Sequence, residues 1–200
     1  MNKDCTAVNI YDSLKHCKGE TVLPGLRPRA WGIPKAAITG WPTLPKPTDK
    51  DATMEAIATY DGDFSLAADS RFLAIDLLDT ASNVTSASQG DKPSKTFLNS
   101  STLKYAGTHA AATGFARMAN TDDMVYVVQQ RDGSFRVIGN EMFETNTNPS
   151  QDSGMSVTDA SGTTLGISVT DVCPAPYYVG KLITADGIID CATGKIEAAA

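Results

Sequence analysis

Along His109–Gly139 the spacing of apolar positions changes twice, and each change marks an element. From His109 to Ala119 strong helix formers carry Ala111, Phe115 and Met118 at spacings of four and three, which places those side chains on one face. The pattern predicts a short helix over 109–119, with Thr108 as its N-cap, Asn120 at its end and the apolar face against a sheet. Met124–Val128 is β-branched and aromatic, which favours a strand. Asp132-Gly133 supplies a turn, and Phe135–Gly139 returns as the partner strand, with Phe135 and Val137 sharing a face.

The same reading extends outwards from this unit. Thr163–Thr170 alternates Leu165, Ile167 and Val169 with polar residues, so it is a sandwich strand with one buried face. Phe72–Leu78 reads as a central strand, and Tyr60–Phe64 as a hairpin turn. Residues 49–58 fit either a helical turn or a strand. Between Thr80 and Asp91 almost nothing apolar remains, and apolar residues return only towards Tyr105. That is the pattern of a long polar hairpin, which makes sense if copies of it pair around a ring, or else of a mobile loop over 79–95. Residues 140–159, rich in Asn, Thr and Ser and containing Pro149, form a second polar excursion.

At the N-terminus, Pro24, Pro28, Pro34, Pro42, Pro45 and Pro47 exclude a long helix or a central strand. Residues 1–50 are therefore expected as an extended arm, whose Trp31 and Trp41 need an apolar surface on the chain's own core or on a neighbouring subunit. Residues 51–180 form the core domain, and 181–200 a tail with a small strand pair around Asp186-Gly187 or Ala192–Gly194. The fold class is mainly β with some α (α+β): a β-sandwich or barrel-like body, one flanking short helix, long hairpin or loop excursions and a Pro-rich arm.

Composition narrows the function. The chain has 200 residues, 42% of them hydrophobic, enough for one real core. A net charge of −6 argues against tight sequence-independent binding of nucleic acid, which needs a basic surface to release counterions. No apolar run near Met1 has signal-peptide length, and the Phe72–Leu78 run is too short to span a bilayer, so synthesis in the cytoplasm without membrane anchoring is expected. Cys5, Cys17, Cys173 and Cys191 follow no metal or redox spacing, and a zinc site of Cys5, His16 and Cys17 lacks a fourth ligand. Asp61 and Asp63 around Gly62 are turn chemistry, because the later acidic ligands of a calcium loop are missing. His16 and His109 are the two histidines, neither in a catalytic setting, and no nucleophile elbow or phosphate loop occurs. No enzymatic activity, cofactor or metal is expected.

The order of elements resembles the bacteriophage tail tube (major tail) protein family. The resemblance rests on the helix followed by Met124–Val128 and Phe135–Gly139, on Gly139-Asn140-Glu141 entering a polar excursion, and on the run from Asp159 to Pro176. It covers Phe64 to Val179, and the Pro-rich arm departs from the simplest tube proteins. The resemblance implies a virion structural protein of the tail, made in the bacterial host cytoplasm. Its copies would self-assemble into stacked, hexameric rings around a DNA-conducting lumen. The partners implied are further copies of the chain, other tail or neck proteins, and genomic DNA as passing cargo only. Trp31 and Trp41 from the arm, and Asn83, Thr85, Asn146 and Asn148 from the polar excursions, are the expected subunit-interface residues. The competing reading is a capsid decoration, neck, baseplate or receptor-binding β-sandwich module, with the loops 79–95 and 140–160 recognising a ligand.

Overall fold

In the computed structural model, which describes residues 10–50 and 52–197, three β layers stack on one another. The central layer takes its strands in the order β3 (Thr59–Tyr60), β12 (Tyr177–Tyr178), β9 (Phe135–Ile138), β8 (Met124–Gln130), β1 (Leu26–Pro34) and β5 (Leu73–Asp76). One side of it packs on a four-stranded antiparallel sheet ordered β10 (Asn146–Asp152), β11 (Gly162–Asp171), β7 (Thr96–Ala106), β6 (Asn83–Gln89). The other side is covered by a small sheet of β13 (Lys181–Thr184), β14 (Gly187–Asp190) and β15 (Lys195–Glu197), and by the segment from β2 (Ile38–Gly40) to β4 (Ser65–Leu66), whose two strands pair with each other. The protein is mainly β, with a single α-helix among the described residues, α1 (Ala110–Ala119).

β8 shows why the layers hold. Its residues alternate between two cores, so the whole run from Met124 to Val128 is buried. Met124, Tyr126 and Val128 face Leu103, Leu165, Ile167 and Val169 of the four-stranded sheet. Val125 and Val127 face the opposite core of Trp31, Phe135, Leu182 and Ile189. Each such side chain contributes on the order of 1.5–3 kcal/mol through burial.

The N-terminal region differs most from the expectation of an arm without a central strand. β1 lies between β8 and β5, and the prolines fit because Pro28 falls where the register shifts between Leu26 and Ala30, while Pro34 ends the strand. Trp31 is 5% exposed and stacks 5.6 Å from Phe135, so it belongs to its own core and not to a neighbour. Trp41 is half-buried, edge-on to Phe64.

Other expectations shift in smaller ways. Phe72–Leu78 supplies the edge strand β5 and not a central one, since Leu73 is 44% exposed. Tyr60–Phe64 joins two different sheets and is not a hairpin. Residues 49–58 contain a 3-10 turn at Ala56–Ala58. In α1 the buried face is Ala112, Ala116 and Ala119, with Phe115 half-buried and Met118 60% exposed. The four-and-three spacing is as predicted but one residue further along, because the small alanines let the helix approach β10 and β11 closely. The cap is His109 and not Thr108: its Nδ1 accepts the Ala112 N–H at 3.4 Å. In the tail both proposed turns are used, which makes a three-stranded meander.

Candidate functional site: an uncharged sheet face with two open edges

The polar excursions fold into the four-stranded sheet. Residues 83–106 form the β6–β7 hairpin, and the stretch expected as a loop over 140–159 contains β10. Pairing registers sort the side chains. On the inner face Leu103, Leu165, Ile167 and Val169 pack on β8 together with buried Asn99, Ser101, Thr147 and Thr163. These inner polar groups are satisfied locally. Asn99 donates to the Cys173 carbonyl at 2.9 Å, Ser101 to the Asn83 carbonyl at 2.8 Å, and Tyr126 OH meets Thr147 Oγ1 at 3.1 Å. Burial pushes the Tyr126 phenol up to about 12, partly offset by that contact.

The outer face runs across the strands as Asn146, Asn148 and Ser150 on β10, Thr164, Ser168 and Thr170 on β11, Ser100 and Thr102 on β7, and Asn83, Thr85 and Gln89 on β6. Ala87 and Leu98 are its apolar members. Charge enters at one end only, where Lys104 and Asp152 lie. Gln89 knits one corner by donating to Thr96 Oγ1 at 3.2 Å and Thr170 Oγ1 at 3.1 Å. Asn83, Thr85, Asn146 and Asn148, expected at a subunit interface, thus sit on one face, on the two strands that end the sheet. Trp31 and Trp41 lie on the far side of the central layer, in or against the other core.

Both end strands have seven residues and one unpaired long side. On β10, Pro149 stands opposite Leu165. A proline inside an edge strand must turn its nitrogen to the unpaired side, so this edge lacks one donor near its middle. The outer β7 and β11 residues were not singled out from the sequence, although the Leu165-Ile167-Val169 alternation already assigns Thr164, Ser168 and Thr170 to the opposite face.

Asp171, at the end of β11, is 1% exposed; its Oδ1 accepts the Val172 N–H at 2.6 Å and its Oδ2 has no partner. Burial raises its pKa above the ordinary carboxyl value, against the hydrogen bonds that lower it. Among the described residues no three His, Cys, Asp or Glu side chains cluster as metal ligands, and no helix is long and apolar enough to cross a membrane. His16 and Cys17 are exposed on the N-terminal segment, and Cys5 of the considered zinc set lies outside the described residues. Comparison with family models, with curated proteins and with solved structures gave no match for this chain.

Proposed function

We propose that the chain is a virion structural protein, a bacteriophage tail tube subunit whose copies join edge to edge into rings that stack around a DNA-conducting lumen. The observation that carries this reading is the four-stranded sheet, a Ser/Thr/Asn face charged only at one end and bounded by two strands of equal length, each with one unpaired edge. Its strands alternate in direction, so β6 of one copy lies antiparallel to β10 of the next when copies are related by rotation about an axis along the strands. The sheet then continues from copy to copy, and closing the ring removes both open edges.

Six copies, the number the tail-tube resemblance implies, put about 24 strands in one barrel. With strands about 4.8 Å apart and tilted about 40°, that barrel is on the order of 48 Å across at the backbone. Side chains reduce the channel to roughly 35–40 Å, wider than a DNA duplex. Apart from Lys104, which lies at the same end as Asp152, the wall of hydroxyls and amides carries no cations that would displace counterions from phosphate, so DNA passes without being held. The net charge of −6 per copy adds a repelling field.

Electron microscopy of the negatively stained protein, with light scattering across concentrations, tests the proposal. Rings or tubes with an open lumen are expected from the unaltered chain. Ser88→Pro, which removes a backbone donor from the open edge of β6 without touching either core, abolishes them while leaving the circular dichroism spectrum unchanged. A protein that stays monomeric at every concentration refutes the tube reading and favours the binding module.

A further inference from the structure

A pocket of about 420 Å³ opens between two tight turns, 131–134 and 191–194, beside β12. Its floor is Phe135, Tyr178 and Cys191, which belong to the core on the side of the central layer away from the four-stranded sheet. The pocket therefore shares nothing with the sheet face or its open edges, and it does not depend on self-association.

The residue that marks it is Gln129. Along β8 the alternation that sends Val125 and Val127 into this core sends Gln129 the same way, an amide where the pattern asks for an apolar side chain. Gln129 is 9% exposed, and one of its amide N–H groups donates to the Gly133 carbonyl at 3.1 Å. Its Oε1 accepts no hydrogen bond from the described residues and is not sealed from solvent, so it opens on the pocket. The bond to Gly133 fixes the amide, which leaves that oxygen and the second N–H presented as a preorganised acceptor and donor.

The rim adds to both kinds. Asp132 Oδ1 accepts the Ser134 hydroxyl at 2.6 Å and the Ser134 N–H at 2.9 Å, which holds the carboxyl below its ordinary range and leaves Oδ2 free. Arg136 lies 4.1 Å over the Tyr177 ring and donates to its hydroxyl at 2.7 Å, so the phenol keeps its own proton to donate. The Arg27 guanidinium, next to Gly133, forms no ion pair among the described residues. Arg27 and Asp132 bring opposite charges, which favours no charged ligand over a neutral one.

Fixed donors and acceptors thus surround a space of small-molecule size beside the half-buried Tyr177 ring. An alcohol group both donates and accepts, and the C–H face of a sugar ring suits an aromatic wall. We propose that this pocket binds a neutral saccharide unit, with its hydroxyls on the Gln129 amide, the Asp132 carboxylate and the Tyr177 phenol.

Saturation-transfer difference NMR on the full chain tests this with methyl β-glucoside, methyl β-galactoside, maltose and lactose as probes, and it works alike for a monomer or a large assembly. Transfer to the ring protons of at least one probe is expected. Gln129→Leu continues the apolar pattern of β8, and Asp132→Asn changes an exposed turn position without entering the core. Each variant weakens binding about tenfold or more, while urea unfolding shows it as stable as the unaltered chain or more so. No transfer to any of these probes, binding that both variants leave unchanged, or transfer to glucuronate alone, which would make Arg27 a plain anion hook, overturns the proposal. A chain that binds the probes as a monomer keeps this site and loses only the ring.

Discussion

Tyr126 and Thr147 offer the sharpest test of how the two large sheets are joined. The phenol of Tyr126 on β8 meets the hydroxyl of Thr147 on β10 at 3.1 Å, with the two residues 0% and 3% exposed. Removing one partner strands the other in a dry interior at about 1–3 kcal/mol, whereas removing both with shape preserved is nearly neutral. Tyr126→Phe and Thr147→Val are therefore each expected to destabilise the fold by about 1–3 kcal/mol, or roughly 2–4 °C in Tm for each kcal/mol in a chain of this size. The double variant should lose less than the sum, leaving a coupling of about 1 kcal/mol or more. Urea unfolding followed by tryptophan fluorescence reports this well, because Trp31 is buried in the opposite core. The denaturant slope should not change, since the surface exposed on unfolding is the same. Strictly additive single effects, or a neutral Tyr126→Phe, would refute the account of β10 as pinned through Thr147.

Three further outcomes follow from the geometry. The carboxyl of Asp171 has a folded pKa above its unfolded value of 3.8, so its stabilising contribution is complete below 3.8 and is lost as pH rises through the folded value. Asp171→Asn should flatten that limb of the urea stability profile between acid and neutral pH and add about 1 kcal/mol at pH 7; an unchanged slope contradicts the assignment. Pro149→Thr restores a donor to the β10 edge, and one hydrogen bond of about 0.5–1.5 kcal/mol lowers the association midpoint in light scattering by about 2–12-fold. His109→Ala removes the cap of α1 and should cost about 0.5–2 kcal/mol in urea unfolding, whereas His109→Asn keeps most of it.

The helix, turn and strand pair of 109–139 are legible from the sequence because local signals coincide there with tertiary demand. The alternation in Thr163–Thr170 is equally readable, since one face of β11 meets the core and the other does not. The N-terminal strand is hidden because proline count argues against a central strand, while the fold places Pro28 at a register shift and Pro34 at a strand end. β6 and β10 are legible only as polarity. Little that is apolar marks a strand whose outer side faces solvent and whose inner side includes Ser86 on β6 and Thr147 on β10, each held by a hydrogen bond. Asn83, Thr85, Asn146 and Asn148, expected at an interface, emerge together on one face, whereas Trp31 shows that a large aromatic group in a Pro-rich stretch goes first to its own core. The pocket at Gln129 is assembled from segments far apart in the chain, so no local pattern announces it.

The position of β1 also sets a clock on biosynthesis. Ala30 pairs with Ile75 of β5 and with Val128 of β8, so the first strand made gains one neighbour after about 45 residues but waits about a hundred for the other to leave the ribosome. The four-stranded sheet closes later still, when Gly162–Asp171 reaches β7. A nascent chain therefore has no finished four-stranded sheet until most of it has been translated. On the self-association proposed above, only chains translated past Asp171 would present both open edges, so the order in which the strands appear would keep incomplete chains out of a ring.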